Sequence, residues 1–188
     1  MPPSACLRST TTPTRPEPLA PEADAIMDLH AANPDVLVLV GTQTGNSETI
    51  ADAVSERLAD LGFDAHLVDM AEAYPELLAE HRQIIVVMCT WSDGTFPDNG
   101  KDFEEALPVV APDLSGVRFG IIGLGDRDYH PYYQTAAIWL GERLAEYGAQ
   151  EAAPLHEIDG TPTAEDTAGA LAWTDRIAQA FAHEAPAP

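Results

Sequence analysis

Short apolar runs alternate with segments of helical periodicity from Val36 onward. The runs are continuous rather than alternating with polar residues, which is typical of parallel strands buried on both faces. We therefore predict five strands. They are Val36–Val40, Ala65–Val68, Ile84–Cys89, Val117–Gly123 and Ala152–Ile158.

Apolar residues recur at helical spacing between these runs. The predicted helices are Glu48–Leu61, Tyr74–Glu80, Asp102–Val110, Tyr132–Tyr147 and Ala164–His183. The regular alternation of strand and helix predicts an α/β fold, in which helices cover both faces of a doubly wound five-stranded parallel sheet. Trp139 and Trp173 lie on helical stripes and are expected in the core.

The length and composition are those of one domain. A chain of 188 residues with 45% hydrophobic content can bury one core of ordinary size. We expect the folded domain to cover residues 34–184. Residues 1–33 are rich in Pro, Thr and Ala without periodicity, so we expect a disordered tail there and a short disordered end at 185–188. Met27 precedes the first strand and is an alternative translational start.

The charge balance is strongly acidic: 31 Asp and Glu residues against 9 Lys and Arg residues give a formal net charge of -22 at pH 7. This charge argues against nucleic acid and membranes as partners and favours basic proteins, although acidity also serves solubility. No apolar run approaches the roughly 18 residues that span a bilayer. Cys6 and Cys89 offer no disulfide framework, which fits a reducing compartment. We expect a cytoplasmic monomer.

The loop after the first predicted strand is suited to binding a phosphate. It runs from Gly41 to Ser47, and its two glycines allow a tight turn. Thr42, Thr44 and Ser47 place hydroxyl groups beside the unpaired N–H groups that open the next helix. No Lys precedes Ser47, and no G-x-G-x-x-G pattern occurs, so a phosphate monoester is favoured over a nucleoside triphosphate or a dinucleotide. A turn that merely caps the helix is the alternative.

Two further loops follow the third and fourth predicted strands, and each places a large aromatic residue beside Gly and Asp. They cover Thr90–Asn99 and Gly123–Tyr133. The carboxyl ends of parallel strands meet at one edge of a sheet, where ligands bind in such folds. Aromatic side chains are suited to holding a flat ring there. The sequence therefore predicts one site at which three loops converge.

These motifs resemble the flavodoxin family. The family pattern T-x-T-G-x-T/S is matched by Thr42, Thr44, Gly45 and Ser47, and the resemblance covers about Asp35 to Phe181. It implies a flavodoxin-like sheet of strand order 2-1-3-4-5 and FMN as the cofactor. The pattern Gly-Thr-Phe-Pro-Asp-Asn looks more like MioC-type flavodoxins and the FMN domains of diflavin reductases such as sulfite reductase. The region of the last strand has no room for the insertion of long-chain members, which implies a short-chain type.

The resemblance implies that the first loop holds the FMN phosphate and that Trp91 and Tyr129 stack on the flavin. Ser92 stands where the family commonly has Gly, at a peptide that rotates when flavin N5 is protonated, so it is expected to affect the one-electron-reduced flavin. No catalytic residue or metal ligand is predicted. The residues assigned to FMN are Thr42, Gln43, Thr44, Gly45, Asn46, Ser47, Thr90, Trp91, Ser92, Asp93, Gly94, Gly123, Leu124, Gly125, Asp126, Tyr129 and Tyr132.

Residues beside this site carry two further expectations. Cys89 ends a buried strand and is interpreted as a packed small hydrophobe rather than a redox thiol. Four carboxylates are expected to lie beside the flavin and to oppose its anionic reduced form. They are Asp93, Asp98, Asp126 and Asp128.

The favoured function is an FMN-dependent carrier of single electrons between an NAD(P)H-dependent flavin reductase and an acceptor enzyme, both basic, and not an enzyme on its own. The alternative is a stand-alone NAD(P)H-dependent reductase of quinones or nitro compounds. The sequence offers no second nucleotide fingerprint for it. A phosphoacceptor receiver is disfavoured because the ends of strands one and three carry Gly41 and Cys89 instead of the required acidic residues.

Overall fold

A computed structural model describes residues 34–183. The expectations for the two ends of the chain, including Met27 and Cys6, lie outside the described residues. The strands are β1 (Asp35–Gly41), β2 (Asp64–Asp69), β3 (Gln83–Cys89), β4 (Arg118–Gly125), β5 (Gln150–Glu151) and β6 (His156–Asp159). The helices are α1 (Asn46–Asp60), α2 (Leu77–Glu80), α3 (Lys101–Val110), α4 (Thr135–Glu146) and α5 (Ala164–Ala182).

All strand pairs of the sheet are parallel, in the order β2-β1-β3-β4, and β5 and β6 share the outer position beside β4. This confirms the α/β fold and the predicted order 2-1-3-4-5. Crossover helices on both faces explain why β1, β3 and β4 consist of continuous apolar residues. Between residues 34 and 183, no helix is long and apolar enough to cross a membrane.

The fifth strand was predicted as one run, which is wrong, because it is divided at residues 152–155. Glu151 pairs with Phe119, and His156 pairs with Ile122, so the outer strand has two more residues than β4 between these pairs. Pro154 lies in the interruption and has no N–H group for the ladder. Its carbonyl oxygen instead accepts a hydrogen bond of 2.8 Å from the Trp173 indole.

Each face of the sheet has its own core. Val36, Val38 and Val40 of β1 point to the face covered by α1 and α5, whereas Leu37 and Leu39 point to the face covered by α3 and α4. This period of two places every residue of the run in one core or the other.

The two helical tryptophans differ in depth. Trp173 is buried, as predicted, in the core beneath α1 and α5. Trp139 is only partly buried and packs edge-on against Phe96, with ring centroids 5.6 Å apart. The core expectation therefore holds fully for the first and in part for the second.

Helix α4 begins later in the structure than the sequence predicts. The predicted helix from Tyr132 begins only at Thr135, because Gln134 before it adopts φ 60°. A left-handed residue cannot continue a right-handed helix. Residues 132–134 instead form a turn over the end of β4, at the edge of the sheet where the three predicted loops meet.

Candidate functional site

A cavity of about 380 Å³ opens at the carboxyl edge of β1, β3 and β4. Its volume lies within the range of small-molecule sites, about 300–1,000 Å³. The loops after these three strands and the turn after β6 form its wall. The lining residues are Thr42, Gln43, Thr44, Asn46, Ser47, Cys89, Thr90, Trp91, Ser92, Leu124, Gly125, Asp126, Tyr129, Tyr132, Tyr133, Gly160 and Thr161.

The first loop has two features that fit a bound anion. Gly45 precedes α1 in the left-handed conformation, φ 86°, and its N–H group donates to Thr42 Oγ1 at 3.0 Å. The helix then begins without a side-chain cap. Ser47 is 0% exposed, and its hydroxyl meets no hydrogen-bond partner among the described residues. An unpaired buried hydroxyl at an uncapped helix N-terminus fits a phosphate group, which accepts hydrogen bonds there.

Asn99 fixes the base of this loop. Its Oδ1 atom accepts a hydrogen bond of 2.8 Å from the Thr42 backbone, and its Nδ2 atom donates to Asp69 Oδ1 at 2.9 Å. The side chain therefore ties the first loop to the second loop and to the end of β2. Such ties hold the backbone N–H groups in place before a ligand arrives.

The second loop is a tight turn closed by a bridge between Trp91 and Thr95, whose backbone groups exchange two hydrogen bonds of 2.9 Å. Ser92 and Gly94 within the turn have φ 48° and φ 90°. Thr135 Oγ1 of α4 donates to the Gly94 carbonyl oxygen at 3.0 Å. The turn therefore presents Trp91 at the rim of the cavity, where the side chain is 43% exposed.

The third loop is held against β6. The Arg127 backbone donates to Asp159 Oδ1 at 2.9 Å, and its guanidinium contacts Glu157 at 3.3 Å. The same guanidinium lies over the Tyr133 ring, 4.9 Å from the centroid. The Arg127 cation is therefore already engaged. The aromatic side chain that this loop exposes at the cavity is Tyr129, which is 64% exposed.

The structure brings together most residues that the sequence assigns to the site. All of them line the cavity except Gly45, Asp93, Gly94 and Gly123. Gly123 packs behind the wall, where an added Cβ would lie 2.0 Å from Gln134 Oε1. Asp93 points into solvent.

Four lining residues were missed: Cys89, Tyr133, Gly160 and Thr161. Tyr133 was quoted within the third loop, although it was not chosen for the site. The pair Gly160 and Thr161 follows the outer strand at the same edge of the sheet, so topology alone could have indicated a fourth loop. Cys89 was interpreted as a packed residue, and the structure places it half-buried on the cavity wall.

The carboxylates expected around the ring are only partly at the cavity. Asp126 lines it, and this side chain accepts a hydrogen bond from the Asp128 backbone at 2.8 Å. Asp93, Asp98 and Asp128 do not line it. Hydrogen bonds from Lys101 and Gln43 lower the pKa of Asp98, and the Lys101 ammonium pairs with its charge. The site is therefore less anionic than the sequence alone indicates.

A family model described as flavodoxin matches residues 38–173. The chain belongs to the flavodoxin family. Oxidised flavodoxin 1 from Bacillus cereus superposes with a TM-score of 0.71 at 26% identity, covering 77% of this chain and 97% of that one. A flavodoxin from Pseudomonas aeruginosa, solved as a cysteine-to-alanine mutant, also gives a TM-score of 0.71 at 26% identity and covers 79% of this chain and 99% of that one.

Curated relatives of this flavodoxin are longer proteins. The sulfite reductase (NADPH) flavoprotein alpha-component of Bacillus subtilis is 32% identical over 161 residues, which are 84% of this chain and 26% of that protein. Methionine synthase reductase of Bos taurus is 34% identical over 119 residues, 61% of this chain and 17% of that protein. The chain thus spans about a quarter, or less, of the length of these relatives.

The cofactor of the family is FMN. The cavity of this flavodoxin fits it chemically, because the unpaired Ser47 hydroxyl suits a phosphate and the rim aromatics suit a flat ring. The chain is a flavodoxin-like FMN domain, related to those of diflavin reductases.

Proposed function

We propose that this flavodoxin carries single electrons between a reductase and an acceptor enzyme. The main support for this proposal is that the two ends of the cavity differ in their exposure to solvent. Its phosphate-loop end is closed around the buried Ser47, whereas its other end is rimmed by the exposed Trp91 and Tyr129. A cofactor held in this way is anchored at one end and open to a partner at the other, which suits electron transfer more than chemistry on an enclosed substrate.

Within this proposal, the first loop binds the FMN phosphate, and Trp91 and Tyr129 contact the ring. The N–H groups that open α1 and the Ser47 hydroxyl donate to the phosphate oxygens. Bound FMN supplies the one-electron chemistry. The chain supplies orientation through the ties at Asn99 and Thr135 and keeps the phosphate end away from water.

The partners proposed are basic proteins, an NAD(P)H-dependent flavin reductase and an acceptor enzyme. The net charge of -22 supports this choice, because long-range attraction raises the rate of encounter with a positive surface. The similarity to sulfite reductase (NADPH) flavoproteins supports an NADPH-linked source of electrons. We propose a monomeric, cytoplasmic carrier.

The alternative, a stand-alone reductase that uses NAD(P)H directly, would need a place for a second nucleotide. A second cavity, of about 430 Å³, lies between α1 and α5. Glu56, Asp60 and Asp175 line it, and Arg57 beside them is paired with Asp175 at 2.7 Å. Because only one cation offsets the three carboxylates, the groove is net negative and repels a pyrophosphate, which favours the carrier over the stand-alone enzyme.

Steady-state NAD(P)H consumption by the FMN-loaded protein tests the proposal. With a quinone or a nitro compound as acceptor, we expect no turnover from the protein alone. Adding a basic flavin reductase and a one-electron acceptor should start turnover, and the rate should depend on the concentration of the carrier. Turnover of NAD(P)H by the purified protein alone would establish the alternative.

A further inference from the structure

Cys89 occupies an unusual position at the closed end of the cavity. It ends β3, is half-buried and lines the cavity. Its sulfur faces two parts of the phosphate loop, the Gln43 backbone and the Ser47 hydroxyl. One side of Cys89 therefore borders the phosphate loop, while the rest packs against the core beneath α1 and α5.

Ser47 provides the second observation. It also lines the cavity, is 0% exposed, and its hydroxyl has no hydrogen-bond partner with good geometry between residues 34 and 183. A buried hydroxyl without a partner is uncommon, and this one lies on the cavity wall, where a ligand can satisfy it. The thiol and the hydroxyl therefore border the same small space, and a ligand that satisfies one must approach the other.

We propose that Cys89 is a thiol-modification site that controls cofactor loading: a phosphate in the first loop and an adduct on the Cys89 sulfur exclude each other. The inference rests on the proposed placement of the FMN phosphate in this loop. Any group added to the sulfur would extend into the space beside Ser47, because the other sides of Cys89 pack against the core beneath α1 and α5.

The modifying reagent that this site would take is a small disulfide. The Cys89 thiolate attacks one sulfur atom of the disulfide, a new S–S bond forms, and the original S–S bond breaks. The second half of the disulfide leaves as a thiolate and takes up a proton. A dithiol reverses the exchange, so loading would recover after reduction.

Two electrostatic effects slow disulfide exchange at Cys89. The first acts in the protein without FMN, and the second is added when FMN is bound. Burial raises the pKa of Cys89, and the Gln43 backbone beside the sulfur offsets only part of this effect. A phosphate dianion beside the sulfur would raise the pKa further, since like charges disfavour the thiolate. One further pKa unit lowers the thiolate fraction about tenfold and, because a more basic thiolate is a better nucleophile, slows the exchange by about threefold.

The chain suits a direct test because its cysteines are only two. Cys6 lies outside the described residues, and Cys6→Ser leaves Cys89 as the single thiol. The full-length Cys6→Ser protein is stripped of FMN and treated at mildly alkaline pH with dithiodipyridine, a neutral disulfide that releases a coloured thione. The rate of colour release is measured without ligand, with FMN, with riboflavin at equal occupancy, and with inorganic phosphate against chloride at equal ionic strength.

FMN should slow the exchange about tenfold or more, from the pKa effect together with steric exclusion. Inorganic phosphate should slow it relative to chloride, and riboflavin should protect less than FMN. An unchanged rate with bound FMN would overturn the proposal. Equal protection by riboflavin would also overturn it, because the ring rather than the phosphate would then cover the sulfur.

The converse measurement starts from the modified protein. Once Cys89 carries the thiopyridyl group, FMN affinity measured by flavin fluorescence should fall and should return after dithiothreitol. In Cys89→Ser, the affinity should be the same before and after the reagent, whatever its own value. An adduct that leaves FMN affinity unchanged contradicts the proposal. Failure of the untreated protein to bind FMN is seen before any reagent is added, and it contradicts the proposed function itself.

Discussion

Gln43 and Asp98 hold each other through two hydrogen bonds. Gln43 Nε2 donates to Asp98 Oδ2 at 2.9 Å, and the Asp98 backbone N–H donates to Gln43 Oε1 at 2.7 Å. The pair joins the phosphate loop to the loop that carries Trp91. Two of the converging loops are therefore connected directly, and the ligand does not have to order them separately.

Removing this pair should loosen the site. Gln43→Leu loses both hydrogen bonds, which we expect to lower the free energy of unfolding by about 1 kcal/mol and to weaken FMN binding. Asp98→Asn is the matched control, because it keeps a side-chain oxygen and the backbone donor for Gln43 and loses only the ion pair with Lys101. Urea denaturation and flavin fluorescence measure the two effects. Equal weakening of FMN binding in the two variants would show that the charge of Asp98, rather than the Gln43 amide, accounts for the effect.

Ser92→Gly should stabilise the protein. Ser92 has φ 48°, a conformation that costs a residue with a side chain about 1 kcal/mol and costs Gly little. Gly94→Ala is the contrasting change, since φ is 90° there and an added Cβ would lie 2.3 Å from Thr135 Oγ1. Thermal denaturation should therefore move in opposite directions for the two variants. A lower melting temperature for Ser92→Gly would show that the serine side chain makes a compensating contact.

The same variant tests the peptide hinge that the family resemblance implies. If the peptide after Trp91 rotates as the flavin is reduced, Ser92→Gly should ease that rotation and widen the separation between the two one-electron potentials. Potentiometric titration of both proteins measures this separation. An identical separation in the two proteins would mean that Ser92 does not resist the change.

Trp91→Ala should weaken FMN binding, because an aromatic pair contributes about 0.5–1.5 kcal/mol beyond the area that it buries. Trp139→Ala separates binding from stability. Trp139 packs against Phe96 and does not line the cavity, so this change should lower stability with little effect on FMN affinity. If the two substitutions weakened binding equally, Trp91 would have no specific place beside the ring.

The capping box of α5 predicts a pH dependence. Hydrogen bonds from the Thr163 hydroxyl and then from its backbone lower the pKa of Asp166. The unfolded chain then binds more protons than the folded one, so this stabilisation is present above about pH 3.9 and is lost as the pH falls through the folded-state pKa.

Asp166→Asn should be less stable than the original protein at neutral pH, and the difference should shrink in acid. Glu165→Gln removes a charge from the same helical turn without touching the cap, so it should show a smaller difference. Urea midpoints across the acid range measure both. A difference for Asp166→Asn that persists below the folded-state pKa would assign the effect to something other than this carboxylate's charge.

The sequence predicts the features of the fold that depend on burial and on the order of elements along the chain. Continuous apolar runs identified β1, β3 and β4, because strands covered on both faces leave no room for polar residues. It could not predict the interruption of the outer strand, where the Trp173 indole replaces a strand as the partner of the Pro154 carbonyl. That contact joins elements that are distant in the chain.

The candidate site was also predictable only in part: the positions of its loops were, and the contacts of its side chains were not. Loop motifs identified the three converging segments, since their residues follow the strands directly. The surroundings of individual side chains depend on tertiary neighbours: Asp98 is hydrogen-bonded to Gln43 and Lys101, and Cys89 packs against the core on one side and borders the phosphate loop on the other. A pattern along the chain does not contain these neighbours.

The most direct test of the carrier account is the rate at which a basic NAD(P)H-dependent flavin reductase reduces the bound FMN, measured anaerobically as the flavin absorbance bleaches while the salt concentration is raised. The account predicts fast second-order reduction at low salt and a steady fall as salt increases, because the Debye length shortens to about 10 Å at 0.1 M. NAD(P)H without the reductase should bleach the flavin slowly at most. A rate that stays flat or rises with salt would contradict docking of this acidic protein on a basic reductase.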